Sequence, residues 1–379
     1  MDVAHNSPAQ SLGGCRKYGT TVLVLQGGGA LGAYQAGVYE GLVEAGIVPD
    51  WIAGVSIGAI NAALIAGNPP DRRVERLREF WDRVSSIAPL VPPPMLSAFR
   101  PIFDYLSATA AATLGVPGLF TLRSRPPFLA SDGSQDALSL YDTTPLKITL
   151  ERLVDFDLIN RRDVRLSLGA VNVKTGNSVY FDNQDVQIHP DHVRASGALP
   201  PSFPPIEIEG ERYWDGGVVS NTPLWYVIDD SPRMDALIVQ VDLFSASGEI
   251  PLKFDQVLER DKDIRYSSKT RFNTKRVKEL AELRVALGRL LAKLPPSFAE
   301  DADVQALSSI CGAGKTTIAH LINRRLSHST QSKDYEFSRA TVNELWATGL
   351  EDVRRATAKK DWAEPEELFE GMRIYDLTR

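Results

Sequence analysis

A serine flanked by glycines is the residue of this sequence best suited to covalent chemistry. Gly54, Ser56 and Gly58 fit the pattern G-x-S-x-G, in which small residues permit the tight strand-to-helix turn that exposes a serine hydroxyl. The motif alone is weak evidence, because chance places it in roughly one unrelated chain in eight of this length. Here residues 51–53 resemble a strand before the serine and residues 59–66 resemble a helix after it. This context favours an exposed, reactive serine over an ordinary glycine-flanked turn.

A second glycine-rich run follows a strand-like stretch and opens a helix-like one. The run consists of Gly27, Gly28, Gly29, Ala30, Leu31 and Gly32. Its backbone N–H groups can point together at an anion. The run also fits the dinucleotide-binding pattern G-x-G-x-x-G, but no acidic residue closes the second strand about 20 residues further on. An oxyanion hole for acyl transfer fits better, with a mere tight turn as the remaining alternative.

A serine nucleophile needs a base, and the sequence offers histidines and an aspartate. None of the five histidines stands in an obvious catalytic setting, and we expect His189 and His192 at the surface. Asp215 follows a strand-like stretch, and Gly216 and Gly217 after it would free the backbone to lay the carboxylate beside another loop. Asp-Gly is also the commonest hairpin turn signal. The residues alone do not decide whether Asp215 is a general base or a turn residue.

The elements that must position these loops predict a parallel sheet. Residues 21–25 are apolar and β-branched, as in a strand buried on both faces. Residues 31–45 have helical spacing and stop at a glycine, and 51–53 begin a second strand. The spacing also predicts helices over 57–66, 72–84 and 144–154, hairpins over 165–181 and 206–214, and a buried strand over 236–241.

Three regions differ in composition from this pattern. Residues 1–19 are polar and without period, which predicts a flexible N-terminal arm. Residues 88–140 are rich in proline among small and apolar residues, which indicates an irregular cap or lid. After residue 243 long helical stretches follow, over 253–294 and 340–360, and predict a helical extension over 244–379.

The extension contains two patterns that imitate binding sites. Residues 312–317 look like the end of a phosphate-binding loop, but Ser309 stands where that loop requires glycine. We therefore expect no nucleotide there and a flexible loop that joins helices. Ten basic residues against three acidic ones lie between Lys262 and Lys293. This basic stripe either contacts an anionic membrane peripherally or is a solvated helix face.

Composition limits the class of protein. The 379 residues are 43% apolar, enough for a sizeable core, and the net charge of −6 argues against a nucleic-acid binder with a broad basic surface. The two cysteines are too few for a disulfide framework, which favours a reducing cytosol. No stretch resembles a secretory signal or a membrane-spanning helix. These features predict a cytoplasmic protein, soluble or peripherally bound to a membrane.

The glycine-rich run, the serine motif and the aspartate motif, in this order, resemble the patatin-like phospholipase family. Residues 195–205 and 213–223 also resemble that family's block around its aspartate, and the likeness covers about residues 20–243. It implies a three-layer α/β fold with a central, mostly parallel sheet. Residues 333–340 and the helix after them resemble the C-terminal extension of a bacterial subgroup of the family.

The resemblance implies a Ser/Asp dyad without histidine. Ser56 would be the nucleophile, Asp215 its general base, and Gly27, Gly28 and Gly29 the oxyanion hole, with no metal and no cofactor. The expected function is hydrolysis of a carboxylic ester of a lipid through an acyl-enzyme; acyl transfer by the same dyad and non-catalytic lipid binding are the alternatives. An ordinary aspartate, with a pKa of about 3.9, is a poor base toward an alcohol. Leu31 stands where the family often has Arg or Lys, which weakens the expectation of a phospholipid preference.

Overall fold

The protein is described here by a computed structural model. It describes residues 18–86, 88, 100–230, 235–267, 270–311, 314–324, 332–359, 362–363 and 371–378. The predicted N-terminal arm therefore lies almost entirely outside the described residues. The first strand begins at Thr20, where the sequence pattern places the start of the fold.

The described strands are short and are numbered in chain order. They are β1 Thr20–Leu25, β2 Trp51–Val55, β3 Thr121–Leu122, β4 Tyr141–Asp142, β5 Arg165–Asn172, β6 Ser178–Asp182, β7 Ile206–Ile208, β8 Glu211–Asp215, β9 Ala236–Asp242, β10 Thr316–Ile322 and β11 Met372–Asp376.

The described α-helices alternate with these strands over much of the chain. They are α1 Gly32–Glu44, α2 Ile57–Ala66, α3 Arg73–Val84, α4 Arg100–Leu114, α5 Thr144–Leu153, α6 Phe156–Asn160, α7 Pro190–Ser196, α8 Leu224–Asp230, α9 Phe254–Tyr266, α10 Thr270–Leu291, α11 Ala302–Ile310 and α12 Arg339–Ala358.

Nine of the described strands form one sheet in the order β11-β10-β9-β1-β2-β5-β8-β7, with β6 also paired to β5. Every neighbouring pair from β11 to β5 is parallel, whereas β6 and β8 run antiparallel to β5, and β7 runs antiparallel to β8. The prediction of an α/β fold with a central, mostly parallel sheet is confirmed, and so are both predicted hairpins.

Helices cover both faces of the sheet, which gives the three layers. Leu23 and Leu25 of β1 belong to the main core, together with side chains of α1, α2, α3 and α12. Val22 and Val24 point to the other face, where they share a second core with side chains of α8 and Ala281 of α10. The inner strand β1 is therefore apolar on both faces, which explains its continuous hydrophobic sequence.

The C-terminal region contains more than helices. β10 pairs with β9 and β11 pairs with β10, so the region after residue 243 extends the central sheet. These two strands were not predicted. The expectation that residues 312–317 join helices is wrong, because Thr316 begins β10 directly after the loop. A parallel strand of seven residues has no hairpin turn to mark it in the sequence.

The proline-rich region is also more regular than the sequence pattern indicates. Its described part, residue 88 and residues 100–140, contains the 15-residue helix α4, and β3 of this region pairs with β4 just beyond it. The expectation of an irregular segment is therefore wrong for α4. The movement of this region as a lid stays a prediction.

Glycines bring α1 and α12 into close contact. A Cβ built on Gly37 of α1 would lie 1.9 Å from the carbonyl oxygen of Trp346, and one built on Gly349 of α12 would lie 2.2 Å from that of Tyr34. Only residues without a side chain permit so short a separation of two helix backbones. Through this contact α12 packs directly on the helix that follows the glycine-rich loop.

Candidate active site

Ser56 occupies a strained turn between β2 and α2. Its φ and ψ are 58° and −124°, a conformation that L side chains rarely adopt. The turn is tight because a Cβ on Gly54 would lie 2.4 Å from the carbonyl oxygen of Gly58, and one on Gly58 would lie 2.4 Å from that of Leu25. The Ser56 N–H donates to Ser196, at 3.1 Å to both its carbonyl oxygen and its Oγ. The serine is therefore held in a fixed orientation at the N-terminus of α2.

Asp215 lies beside Ser56 because the strands that lead to these two residues, β8 and β2, both pair with β5. Val55 of β2 pairs with Gly169 of β5, and Asp215, at the end of β8, pairs with the next residue, Ala170. The Asp215 carboxylate is 1% exposed and accepts hydrogen bonds from the Ser56 hydroxyl and from the Gly217 N–H, the latter at 2.7 Å. The sequence separates the two residues by more than 150 positions, and the sheet brings them together.

Burial changes the acid–base character of Asp215. Loss of solvation raises the pKa of its carboxyl to about 7, although the hydrogen bonds from Ser56 and Gly217 favour the charged form and oppose the shift. A carboxylate of this pKa is a much stronger base than an exposed one. Asp215 is therefore a stronger base in this buried position than its residue type alone predicts.

The backbone N–H groups of the glycine-rich loop are not equivalent. The Gly27 N–H donates to the carbonyl oxygen of Asn221 at 3.2 Å, and the Ala30 N–H donates to that of Asp334 at 2.9 Å. Between them, the N–H groups of Gly28 and Gly29 have no acceptor within the described ranges. These two N–H groups are available to an anion, whereas the Gly27 N–H already has an acceptor. The oxyanion hole of Gly27, Gly28 and Gly29 stays a prediction.

The other glycines of the motifs allow close packing behind the loop. A Cβ on Gly32 would lie 2.5 Å from the side chain of Ile57, and one on Gly216 would lie 2.7 Å from the carbonyl oxygen of Gly169. Both glycines let the loops that carry the motifs lie directly on neighbouring elements. Neither borders the cavity described next.

A cavity of about 100 Å³ brings most of the candidate residues together. Ser56, Asp215 and Gly217 line it, and so do the three glycines at 27–29. The rest of the wall is mainly apolar; it includes Ile57, Ile60, Leu119, Phe120, Leu146, Leu199, Phe203, Phe244 and Phe337. The arrangement places a serine hydroxyl beside an apolar space of the kind that accepts an acyl chain.

Several residues of the site were not singled out from the sequence. Asn221 donates from Nδ2 to the carbonyl oxygens of Gly27, at 3.0 Å, and Tyr266, at 2.8 Å, and so fixes the glycine-rich loop. Tyr335 and Phe337 border the cavity from the C-terminal region. Both stretches lie in blocks that carry the family resemblance, which was the only signal in the sequence.

The histidines take no part in the described cavity. His192 is 4% exposed, and its Nδ1 accepts a hydrogen bond from the His189 N–H at 3.1 Å. Burial lowers the pKa of His192 to about 4. The expectation of a surface position is therefore wrong for His192, because its ring is buried against Phe181. His5 and His328 lie outside the described residues.

The described residues give little sign of a metal site, of a membrane-spanning helix or of an unpaired basic surface. No group of three or more His, Cys, Asp or Glu side chains there converges as metal ligands would. No helix of that part of the chain is both long and apolar enough to cross a membrane. In the basic stripe, Arg276 and Lys278 of α10 lie near Glu279 and Glu282, at 3.6 and 3.8 Å. The membrane contact of the stripe stays a prediction.

Comparison with known proteins agrees with this geometry. Residues 23–228 match the sequence model of the family described as "Patatin-like phospholipase", and residues 264–368 match that of a family described as "Patatin phospholipase". An uncharacterised NTE family protein of Mycobacterium tuberculosis is 26% identical over 226 residues, 58% of this chain and 30% of the relative. "Lysophospholipase NTE1" of Candida glabrata is 27% identical over 248 residues, 62% of this chain and 11% of the relative. The chain thus spans less than a third of the length of these relatives.

Solved structures show a more distant likeness. VipD from Legionella pneumophila aligns over 88% of this chain and 67% of its own, with 14% identity and a TM-score of 0.33. ExoU from Pseudomonas aeruginosa, in complex with SpcU, aligns over 66% of this chain and 50% of its own, with 17% identity and a TM-score of 0.31. The stronger finding is the sequence match, which covers more than half of the chain and all three motifs. This chain belongs to the patatin-like phospholipase family.

Proposed function

We propose that this protein is a serine acyl hydrolase that cleaves a carboxylic ester of a lipid through an acyl-enzyme. One observation carries the proposal. Ser56, on a strained turn, donates a hydrogen bond to the buried carboxylate of Asp215 at the wall of an apolar cavity. Nucleophile, base and binding space thus meet in one place.

In the proposed acylation step, the Ser56 Oγ attacks the ester carbonyl carbon while its proton passes to the Asp215 carboxylate. The carbonyl oxygen becomes an oxyanion that accepts hydrogen bonds from the Gly28 and Gly29 N–H groups. The positive N-terminal end of α2, which begins beside Ser56, also favours that charge. Collapse of the intermediate breaks the ester bond, and the leaving alcohol takes the proton from Asp215.

Deacylation in this proposal reverses the roles. A water molecule attacks the acyl-enzyme carbonyl carbon and gives a proton to Asp215, which has just lost its proton to the alcohol. The new oxyanion uses the same two N–H groups. The acid product leaves, and the proton returns to the Ser56 Oγ. Asp215 thus serves as the only acid and base in both halves of the proposed reaction.

The lining of the cavity favours an acyl chain, rather than a large polar group, on the acid side of the ester. Phenylalanine and aliphatic side chains dominate its wall. Leu31 does not line this cavity but borders a separate one of about 590 Å³. Leu31 is therefore not expected to contact an acyl chain bound in the cavity beside Ser56.

The test compares purified wild type with Ser56→Ala and Asp215→Asn on a soluble p-nitrophenyl ester and on a lysophospholipid. Ser86→Ala and Asp229→Asn, both exposed and outside the cavity, are the matched controls. We expect a loss of at least 10³-fold in kcat for Ser56→Ala, wild-type rates for the controls, and labelling of Ser56 by a fluorophosphonate. Wild-type protein that cleaves neither substrate and takes no label would contradict the proposal and favour non-catalytic lipid binding.

Acyl transfer is the second candidate, because the same acyl-enzyme can be intercepted by an alcohol or thiol. Product analysis with added glycerol or a thiol separates the two reactions. Free fatty acid as the main product in the presence of the acceptor supports hydrolysis, whereas a new ester or thioester as the main product supports transfer.

A further inference from the structure

One segment from the C-terminal region reaches the oxyanion loop. Residues 332–338 precede α12, and we call them the strap. Asp334 in the strap accepts the hydrogen bond of the Ala30 N–H at 2.9 Å through its backbone carbonyl. A Cβ on Gly29 would lie 2.2 Å from the same oxygen, so strap and loop are in direct backbone contact. The N–H groups of Gly28 and Gly29, which have no acceptor among the described residues, lie just before this contact.

Three ion pairs, made by one lysine on each element, fasten the strap to α9. Lys262 of α9 donates to the Asp334 carboxylate at 2.7 Å. Lys333 of the strap donates to two carboxylates of α9, Asp263 at 2.5 Å and Glu259 at 3.5 Å. The five side chains are only 4–24% exposed. Ion pairs with this little solvent contact are screened less than surface pairs. We call these ion pairs the clasp.

The helix that holds the strap is itself fixed at the active site. The backbone carbonyl of Tyr266, the last residue of α9, accepts hydrogen bonds from the side chains of Gln26, at 3.2 Å, and Asn221, at 2.8 Å. Gln26 directly precedes the glycine-rich loop. The end of α9 and the strap therefore hold this loop from two sides.

We propose that Lys262 and Asp334 are positioning residues for the oxyanion hole. The clasp fixes the position of the strap, and the Asp334 carbonyl then fixes the position of the Ala30 N–H. The fixed position of Ala30 orients the N–H groups of Gly28 and Gly29 toward the substrate. The inference rests on the proposed function for its catalytic consequence, but the coupling between clasp and loop does not.

The first measurement is hydrogen exchange by mass spectrometry on a peptide that covers residues 26–31. It compares wild type with Lys262→Met and with Lys278→Met, a matched loss of an exposed lysine on α10. We expect the peptide to exchange at least fivefold faster in Lys262→Met and at the wild-type rate in Lys278→Met. Lys333→Met, which removes the ion pairs with Asp263 and Glu259, should give the same result and decides the matter if Lys262→Met does not fold.

The second measurement is kcat and KM on the soluble ester, per Ser56 labelled by fluorophosphonate. Lys262→Met should lower kcat about tenfold with KM within twofold, because displaced donors act on the transition state more than on bound substrate. Lys262→Arg keeps the charge and should restore most of kcat. A merely structural role would lower the labelled fraction and leave kcat per labelled site unchanged.

The results distinguish failure of this inference from failure of the proposed function. Exchange within twofold of wild type in Lys262→Met and Lys333→Met would overturn the coupling, and faster exchange with unchanged kcat would overturn the positioning role. Wild-type protein without ester hydrolysis or Ser56 labelling contradicts the proposed function, and the exchange data still decide whether the clasp holds the loop.

Discussion

At the scale of single residues, two features of the site are unfavourable for folding and favourable for the proposed reaction. Ser56 has a positive φ that disfavours any side chain, and the Asp215 carboxyl is buried without a cation as partner among the contacts the structure describes. Each feature lowers the stability of the folded state. Each also prepares the proposed reaction, because the strained turn exposes the hydroxyl and burial strengthens the base.

Replacement of Ser56 by glycine should therefore stabilise the protein while it removes activity. Glycine adopts the φ of 58° without steric cost, so we expect the free energy of unfolding to rise by roughly 1 kcal/mol. Urea denaturation of Ser56→Gly and Ser56→Ala measures the difference, and both variants should be inactive. A midpoint of Ser56→Gly at or below that of Ser56→Ala would contradict strain at this residue.

The raised pKa of Asp215 predicts the pH dependence of the reaction. Only the carboxylate accepts the serine proton, so kcat/KM should fall as the pH decreases below about 7, by tenfold per pH unit. The profile is measured from pH 5 to 9 with a neutral ester whose own ionisation does not interfere. An acid limb near pH 4, the range of an exposed aspartate, would show that burial does not set the pKa of the free enzyme.

At the scale of elements, the parts nearest the motifs were the easiest to predict. β1, α2 and the hairpin of β7 and β8 have strong local signals, and the structure contains all of them. The pairing of Asp215 with Ser56 depends on the register of β5 against two other strands, which no local pattern encodes. β10 and the contact of the strap with Ala30 were missed for the same reason, because both join residues more than 70 positions apart.

The glycine contact between α1 and α12 should be sensitive to one added methyl group. In Gly349→Ala the new Cβ would lie 2.2 Å from the Tyr34 carbonyl oxygen, so the helices must separate, and we expect a loss of about 1–3 kcal/mol in the free energy of unfolding. Ala347→Ser, on the exposed side of α12, is the control and should change the urea midpoint little. Equal midpoints for the two variants would mean that the helix contact adjusts freely.

At the scale of the whole molecule, the sheet crosses the boundary that the sequence suggests at residue 243. β9 lies between β1 and β10 and is buried along its whole length. The core on one face of the sheet includes Ala319, Leu345 and Trp346 from the C-terminal region. The two regions matched by separate family models therefore share one core and one sheet.

A chain that ends at Leu243 should not fold as the catalytic domain. It would expose the edge of β9 and the apolar side chains of α1 that α12 covers, and unpaired strand edges promote aggregation. We expect the fragment to be insoluble under conditions in which the full chain is soluble. A soluble fragment with a cooperative thermal transition and ester hydrolysis would establish residues 20–243 as an independent domain.

The late position of the strap in the sequence has a consequence for biosynthesis. Ser56 leaves the ribosome early and Asp215 later, but the cavity gains Tyr335 and Phe337 only after more than 330 residues have been made. N-terminal segments begin to fold while synthesis continues. A nascent chain therefore contains Ser56 and Asp215, the proposed nucleophile and base, well before it can complete the cavity wall and anchor Ala30. The order of translation thus delays assembly of the cavity, and a chain truncated before Tyr335 would contain the proposed dyad without the part of the cavity wall that Tyr335 and Phe337 form.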